Sequence, residues 1–171
     1  MKPNTYLDTI MHIGELYQQI LNLKLKDTSE GTDSSEKIQQ IRHQIKQQKQ
    51  TLSVQLNHED NPLKDLWAKY SLSDVEKDII IILLYQELGN LFKTSRNNNH
   101  RGGILSRFSN DNITVKEILY ELYDTYTQII DGRKYFVEYA PLRKYSLIEL
   151  DSDREMDIIN ANVSISQAIL H

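Results

Sequence analysis

Residues 72–88, LSDVEKDIIIILLYQEL, carry six consecutive large aliphatics, Ile79 to Leu84, behind a polar start. Three states could accept such a run: a membrane span, a buried strand, or a helix enclosed by its neighbours. A span of the hydrocarbon core takes ~20 apolar residues, which rules out the first. Ser73 and Glu76, three residues apart, form a capping box, in which the hydroxyl serves one free amide of the first turn and the carboxylate serves another. That signal starts a helix and argues against a strand. Beyond it the apolar residues at 75, 79–85 and 88 cover nearly every direction around the axis. A helix apolar all round is enclosed by other elements, so the sequence predicts a central helix.

The chain of 171 residues is long enough for one domain with a proper core, or one domain with a smaller piece appended. Lys and Arg number 20 against 24 Asp and Glu, a net charge of −4, so there is no general basic field to hold a nucleic-acid backbone. The lack of cysteine removes disulfide scaffolds, thiolate nucleophiles and Cys-based metal sites, and makes the cytoplasm the simplest location. At the N-terminus, Asp8, His12 and Glu15 interrupt the apolar residues, so neither a signal peptide nor a spanning helix is expected there.

Leu7, Ile10, Met11, Gly14, Tyr17, Ile20 and Leu21 recur at helical spacing and predict a helix over residues 4–26. A polar loop over 27–35 contains Gly31, and Ser34 or Ser35 can cap the next helix. In that helix Ile38, Ile41, Ile45 and Leu52 form a seam on a Gln/Lys-rich cylinder. Residues 1–56 therefore read as an antiparallel helical hairpin, a projecting arm or bundle edge rather than a buried core. In 57–171, Pro62 opens a short helix, PLKDLWAKY, and the central helix follows. Residues 93–112 read as a mobile loop, beginning KTSRNNNHRGG. A helix is predicted over 113–130, with Thr114 and Glu117 as its capping box, and Asp131-Gly132 stops it. After Pro141 the period changes. YSLIEL, a polar turn at 151–155, then MDII and ANVSI predict short antiparallel strands, and SQAILH begins a helix that runs into the end of the sequence. Such a short helix does not support itself, so the natural chain is expected to continue past His171. The predicted fold is mainly α with a small β-wing: a helical hairpin plus a winged-helix domain.

The glycines form neither phosphate-binding motif, G-x-x-x-x-G-K-[ST] nor G-x-G-x-x-G, and the five histidines lack the spacing of metal ligands. Asp151 to Glu155 resembles the start of a calcium loop but lacks its third oxygen ligand and its glycine, and reads as a hairpin turn. Glu76 and Glu87 share one side of the central helix but stand ~16 Å apart along it, too far for a shared catalytic centre. Glu76 is assigned to the capping box and Glu87 to a basic partner or water. No catalytic, cofactor or metal site is predicted within this chain.

Arg96, His100, Arg101 and Arg107 form a basic loop that reads as solvated, with phosphate or an acidic protein surface as the functional alternative. The helix before a wing is the one that enters DNA in winged-helix readers. On 113–130 the face away from the core holds Lys116, Glu117, Tyr120, Glu121, Asp124 and Gln128, and three acids against one lysine would repel phosphate. Tyr120 and Tyr123, beside Lys116 and Thr127, form an aromatic strip suited either to protein contact or to packing under the hairpin.

The segments WAKYSLSDVEKDIIIILLYQEL, ITVKEILYELY, APLRKYSLIELDSD and IINANVSISQAIL, in that order and spacing, resemble the winged-helix N-terminal region of bacterial AAA+ ATPases, including those encoded with contractile injection systems. The matching positions are Leu72, Ser73, Glu76, Glu87, Leu88, Thr114, Val115, Pro141, Leu142, Arg143, Leu147 and Leu150. The likeness covers roughly residues 63–171 and is mostly hydrophobic pattern, sharpest in PLRKYSLIEL. It implies an ATPase core after the wing, with ATP and Mg, and a hexamer for the full-length protein. No Walker motif or arginine finger lies within this chain. The function expected is a non-catalytic N-terminal adaptor or substrate-recruitment module that contacts a protein partner. The alternative is a winged-helix nucleic-acid binder using Arg96, Arg101, Arg107, Arg143 and Lys144.

Overall fold

The computed structural model describes residues 5–58, 60–96, 112–152 and 154–170. Helix α1, Tyr6–Glu30, starts at a capping box between Thr5 and Asp8 and ends at Gly31, whose φ of 67° is the left-handed conformation that terminates a helix. The amide of Gly31 donates to the carbonyl of Asp27 at 2.9 Å. The helix thus runs four residues past the expected end, because Gly31 rather than the polar DTSE stops it. Helix α2, Ser35–His58, returns along it, burying Ile38, Ile41, Ile45, Leu52 and Leu56.

The hairpin is not a projecting arm. Ile10, Ile13 and Ile20 of α1 are fully buried, and α1 packs on α4 and α5 as well as on α2. One apolar cluster runs from Ile10 to Ile165 and crosses the boundary drawn at 56/57.

Helix α3, Pro62–Tyr70, has Pro at its first turn, as its sequence predicts, and Asn61 as its N-cap. Its apolar face, Leu63, Leu66, Trp67 and Tyr70, lies against the core. Helix α4, Asp74–Arg96, is the central helix. Ser73 and Glu76 make the predicted capping box: the Ser73 amide and hydroxyl both donate to Glu76 Oε2 at 2.8 Å. Ile79 to Leu83 are each at most 2% exposed, as the all-round apolarity requires. The helix continues to Arg96, into the stretch expected to be loop.

The predicted helix over 113–130 is divided. Ile113–Thr114 form strand β1, helix α5 spans Val115–Leu122, and α6 spans Tyr126–Gly132. The Thr114–Glu117 capping box opens α5 as expected, while a second one, Thr125 with Gln128, opens α6. Tyr123 between them is extended, with φ −127° and ψ 147°. A 3-10 turn at Arg133–Tyr135 and the four-residue helix α7, Pro141–Lys144, lead to strand β2, Ile148–Leu150. MDII, expected as a strand, lies in a 3-10 segment, Glu155–Asn160, that buries Ile158. Strand β3, Asn162–Ile165, is central in the antiparallel sheet, whose order is β1-β3-β2. It pairs Val163 with Ile113 on one side and Leu150 on the other, and Val163 and Ile165 face the core. Helix α8, Gln167–Leu170, follows. Helix, strand, helix–turn–helix and antiparallel wing form the winged-helix arrangement that the sequence predicts.

Candidate interaction surface

The turn between α5 and α6 is held from the hairpin side. The C-terminus of α5 leaves carbonyls without helical partners and concentrates partial negative charge. Lys24 Nζ donates to the carbonyls of Tyr120 and Tyr123, at 2.6 Å each, and lies 2.9 Å from Asp124 Oδ1. From α2, Arg42 forks onto Asp124, Nε to Oδ2 at 2.8 Å and Nη2 to Oδ1 at 2.6 Å, while Nη1 donates to the Glu121 carbonyl at 3.2 Å. Burial draws the Lys24 ammonium below its ordinary pKa, against the pull of Asp124. Burial also acts to raise Asp124, but the hydrogen bonds from Arg42 and Lys24 prevail and hold it below the usual carboxylate range. The two hairpin cations that reach the α5–α6 turn are therefore committed to contacts within the molecule.

This arrangement separates the predicted strip. Lys116 is exposed on α5 with its ammonium 5.7 Å from the centre of the Tyr120 ring. Tyr120 and Tyr123 are partly buried against the core and line a cleft with Lys24, Thr28 and Ile38 of the hairpin. A Cβ on Gly132 would stand 2.8 Å from the Tyr123 ring, so that ring lies against the end of α6. Burial, then Tyr135 beside it, pushes the Tyr123 phenol up to about 12. Thr127 is exposed, but on α6 rather than on the helix of Lys116.

Glu121, read as solvent-facing, is 3% exposed, because α1 covers that side of α5. Burial, reinforced by Glu117, raises its pKa to about 8, and its Oε2 has no hydrogen-bond partner. Asp78 on α4 is also buried; it sits 2.8 Å from Lys49 Nζ and accepts from the Tyr17 hydroxyl, yet desolvation still raises its pKa.

Of the other named positions, Glu87 is half-buried on α4 with no ion-pair partner among the described residues. Pro141 occupies the first turn of α7, and Arg143 Nη1 donates to the Phe136 carbonyl at 3.4 Å. Of the basic loop, Arg96 is the last residue of α4, and His100, Arg101 and Arg107 lie outside the described residues.

A set of lysine–tyrosine pairs did not emerge from the sequence. Lys69, Lys134 and Lys144 each lie over the ring of the tyrosine that follows, Tyr70, Tyr135 and Tyr145, at 5.1–5.4 Å. Tyr70 and Tyr145 stack with ring centres 4.7 Å apart, and Tyr126 and Tyr139 are each 77% exposed. The three K-Y dipeptides were the available signal, but they lie on α3, on the 3-10 turn and at the end of α7, and the fold brings the first and the last together through Tyr70 and Tyr145. No cluster of three or more potential metal-ligating side chains occurs among the described residues, and none of their helices is long and apolar enough to cross a membrane.

A family model described as a winged helix domain, variant, matches residues 11–171. No curated protein and no solved structure matches the chain.

Proposed function

From the premise that the chain belongs to the variant winged-helix domain family, we propose that it is a non-catalytic protein-interaction module, the N-terminal adaptor or recruitment domain of an AAA+ ATPase. The observation that carries the interaction reading is the hairpin's grip on the helix–turn–helix. In a DNA reader the first helix crosses the phosphate backbone and the second enters the groove. Here the cations beside that turn, Lys24 and Arg42, serve Asp124 and helix carbonyls instead of phosphate. The second helix, α6, has seven residues and adds Asp131 to the exposed side. Exposed Tyr126 and Tyr139 are amphipathic side chains enriched in protein interfaces.

The AAA+ part of the proposal rests on the sequence resemblance, which implies ATP, Mg and a hexamer for a core beyond residue 171, while the cytoplasm is proposed from the lack of cysteine. Reading the coding sequence past His171 tests it: a Walker A motif in frame supports it, and a stop codon removes it. For the interaction part, titration with duplex DNA at near-physiological salt is expected to give no salt-dependent binding. A shift whose affinity falls steeply with salt would overturn it.

One observation favours a nucleic-acid reading. The three lysine–tyrosine pairs place cations and aromatic faces together, the combination that holds single strands by backbone attraction and base stacking. Binding of a single-stranded oligonucleotide, lost on Tyr139→Ala with Tyr145→Ala, would establish that alternative.

A further inference from the structure

A cleft of about 340 Å³ lies between α1, α4 and α5, separate from the tyrosine cleft. Its polar lining includes Gln18 and Asn22 from α1, Tyr85 and Gln86 from α4, Asn112, Thr114, and Glu117 and Glu121 from α5. Among the described residues, no lysine or arginine lines it. The Tyr85 hydroxyl donates to Gln18 Oε1 at 3.0 Å, and Glu117 is engaged by the amide and hydroxyl of Thr114. Glu121 is left with a buried oxygen that nothing satisfies. Unsatisfied buried acceptors are rare because each costs the desolvation of the group without a compensating bond. Leu21 and Ile82 add apolar surface to the lining, and Leu25, 58% exposed, adds an apolar edge.

We propose that this cleft receives a cationic side chain, arginine or lysine, presented by a protein partner: the head group meets the free oxygen of Glu121 while the aliphatic stem lies along Leu21 and Leu25. Three observations converge on that chemistry. The lining is acidic and rich in acceptors, an anion would find no countercharge, and the apolar edge suits the stem that such side chains bury. Burial and the neighbouring Glu117 raise Glu121 to about 8, which shows that the fold itself provides too little positive charge to hold the carboxylate. A guanidinium in the cleft would provide it through a charge-assisted hydrogen bond.

The inference rests on the protein-interaction reading, and its test is independent of any partner. The isotopically labelled domain is titrated with N-acetyl-arginine amide and, separately, with N-acetyl-citrulline amide, which keeps the shape and loses the charge. Saturable amide shifts at Gln18, Asn22 and Asn112 with the arginine compound alone are expected. Glu121→Gln should weaken that binding by roughly tenfold. Asn22→Lys, at an exposed position of the lining, should weaken it similarly by placing a competing ammonium there. Equal binding of the citrulline compound, shifts elsewhere, no shifts at millimolar ligand, or unchanged affinity in both variants would overturn the proposal. Each of these results leaves the interaction reading standing, whereas salt-dependent duplex binding would remove that reading and leave any arginine binding intact.

Discussion

The guanidinium of Arg42 lies on the carboxylate of Asp124 in a two-point fork, 2.8 and 2.6 Å, across 82 residues of sequence. The Arg42 side chain is 21% exposed and that of Asp124 38%. With Lys24 on the same carboxylate, the fork ties both helices of the hairpin to the α5–α6 turn. The winged helix and its hairpin are thereby held as one structure.

Solvent screens a pair this exposed, but the bidentate geometry recovers part of the interaction. A double-mutant cycle with Arg42→Met and Asp124→Asn, read from denaturant midpoints, should give a coupling energy of about 1 kcal/mol. Because Asp124 is held below the usual carboxylate range, its contribution is present above the unfolded-state pKa and is lost as pH falls through the folded value. The coupling should therefore vanish in acid. A coupling that is zero at pH 7, or that persists at pH 2, would show that the fork does not join the two parts.

At Gly14, helices α1 and α4 approach so closely that an added Cβ would stand 2.3 Å from Tyr85 Cβ. That atom is near the backbone and no rotamer change moves it aside. Gly14→Ala must therefore separate the helices, at a cost of about 1–3 kcal/mol for overpacking a filled core. Gly89, also on α4, meets nothing within 4 Å. There the same substitution removes only the entropic weakness of glycine in a helix, and Gly89→Ala should stabilise by roughly 0.5–1 kcal/mol. Thermal unfolding of the two variants should move in opposite directions.

The contrast between those glycines shows where sequence reading stops. Local devices were legible: Ser73 with Glu76 and Thr114 with Glu117 start helices where predicted, and the unbroken run Ile79 to Leu83 is buried on all sides. The division of 113–130 was not, because Ile118, Leu122, Tyr126 and Ile129 keep helical spacing across it. The signal was there in Thr125 and Gln128, a capping box hidden inside the periodic pattern. Ile158 likewise reaches the core from a 3-10 turn, which apolar composition alone cannot distinguish from a strand. Glu121 and the Tyr70–Tyr145 stack depend on contacts between distant segments. The cover of α1 over α5 buries Glu121, and only the folded chain brings Tyr70 against Tyr145.

Glu121 gives the stability a pH dependence of defined sign. Its folded pKa, about 8, is above the ordinary carboxyl value of 4.5, so the folded state binds more protons between those values. Stability from this group is fully present below the unfolded pKa and is lost as pH rises through the folded one. Asp78, also raised by burial, acts in the same direction. Glu121→Gln replaces the carboxyl with a neutral group of the same shape and removes the penalty. The variant should match the parent near pH 4 and exceed its stability progressively toward pH 8, by an amount of a few kcal/mol. Urea unfolding across that range checks the prediction, and a constant difference would mean that Glu121 is ionised in the folded protein.

The first turn of α6 should depend on its cap, and the break before it on the Lys24 contact with Tyr123. Thr125 Oγ1 accepts from the Gln128 amide, and Gln128 Oε1 accepts from the Thr125 amide, both at 3.3 Å. These bonds satisfy amides that the end of a helix leaves open. Thr125→Ala should lower stability by about 1 kcal/mol, as for other N-caps, while Thr125→Ser should be close to neutral. Tyr123 is held extended at that point, its carbonyl bonded by Lys24. The alanine variant should consequently leave the break in place and loosen the first turn of α6, raising amide hydrogen exchange at Thr127 and Gln128 without changing it in α5. Equal acceleration in both helices would mean that they rise and fall as a single unit and that the cap does not define the second helix.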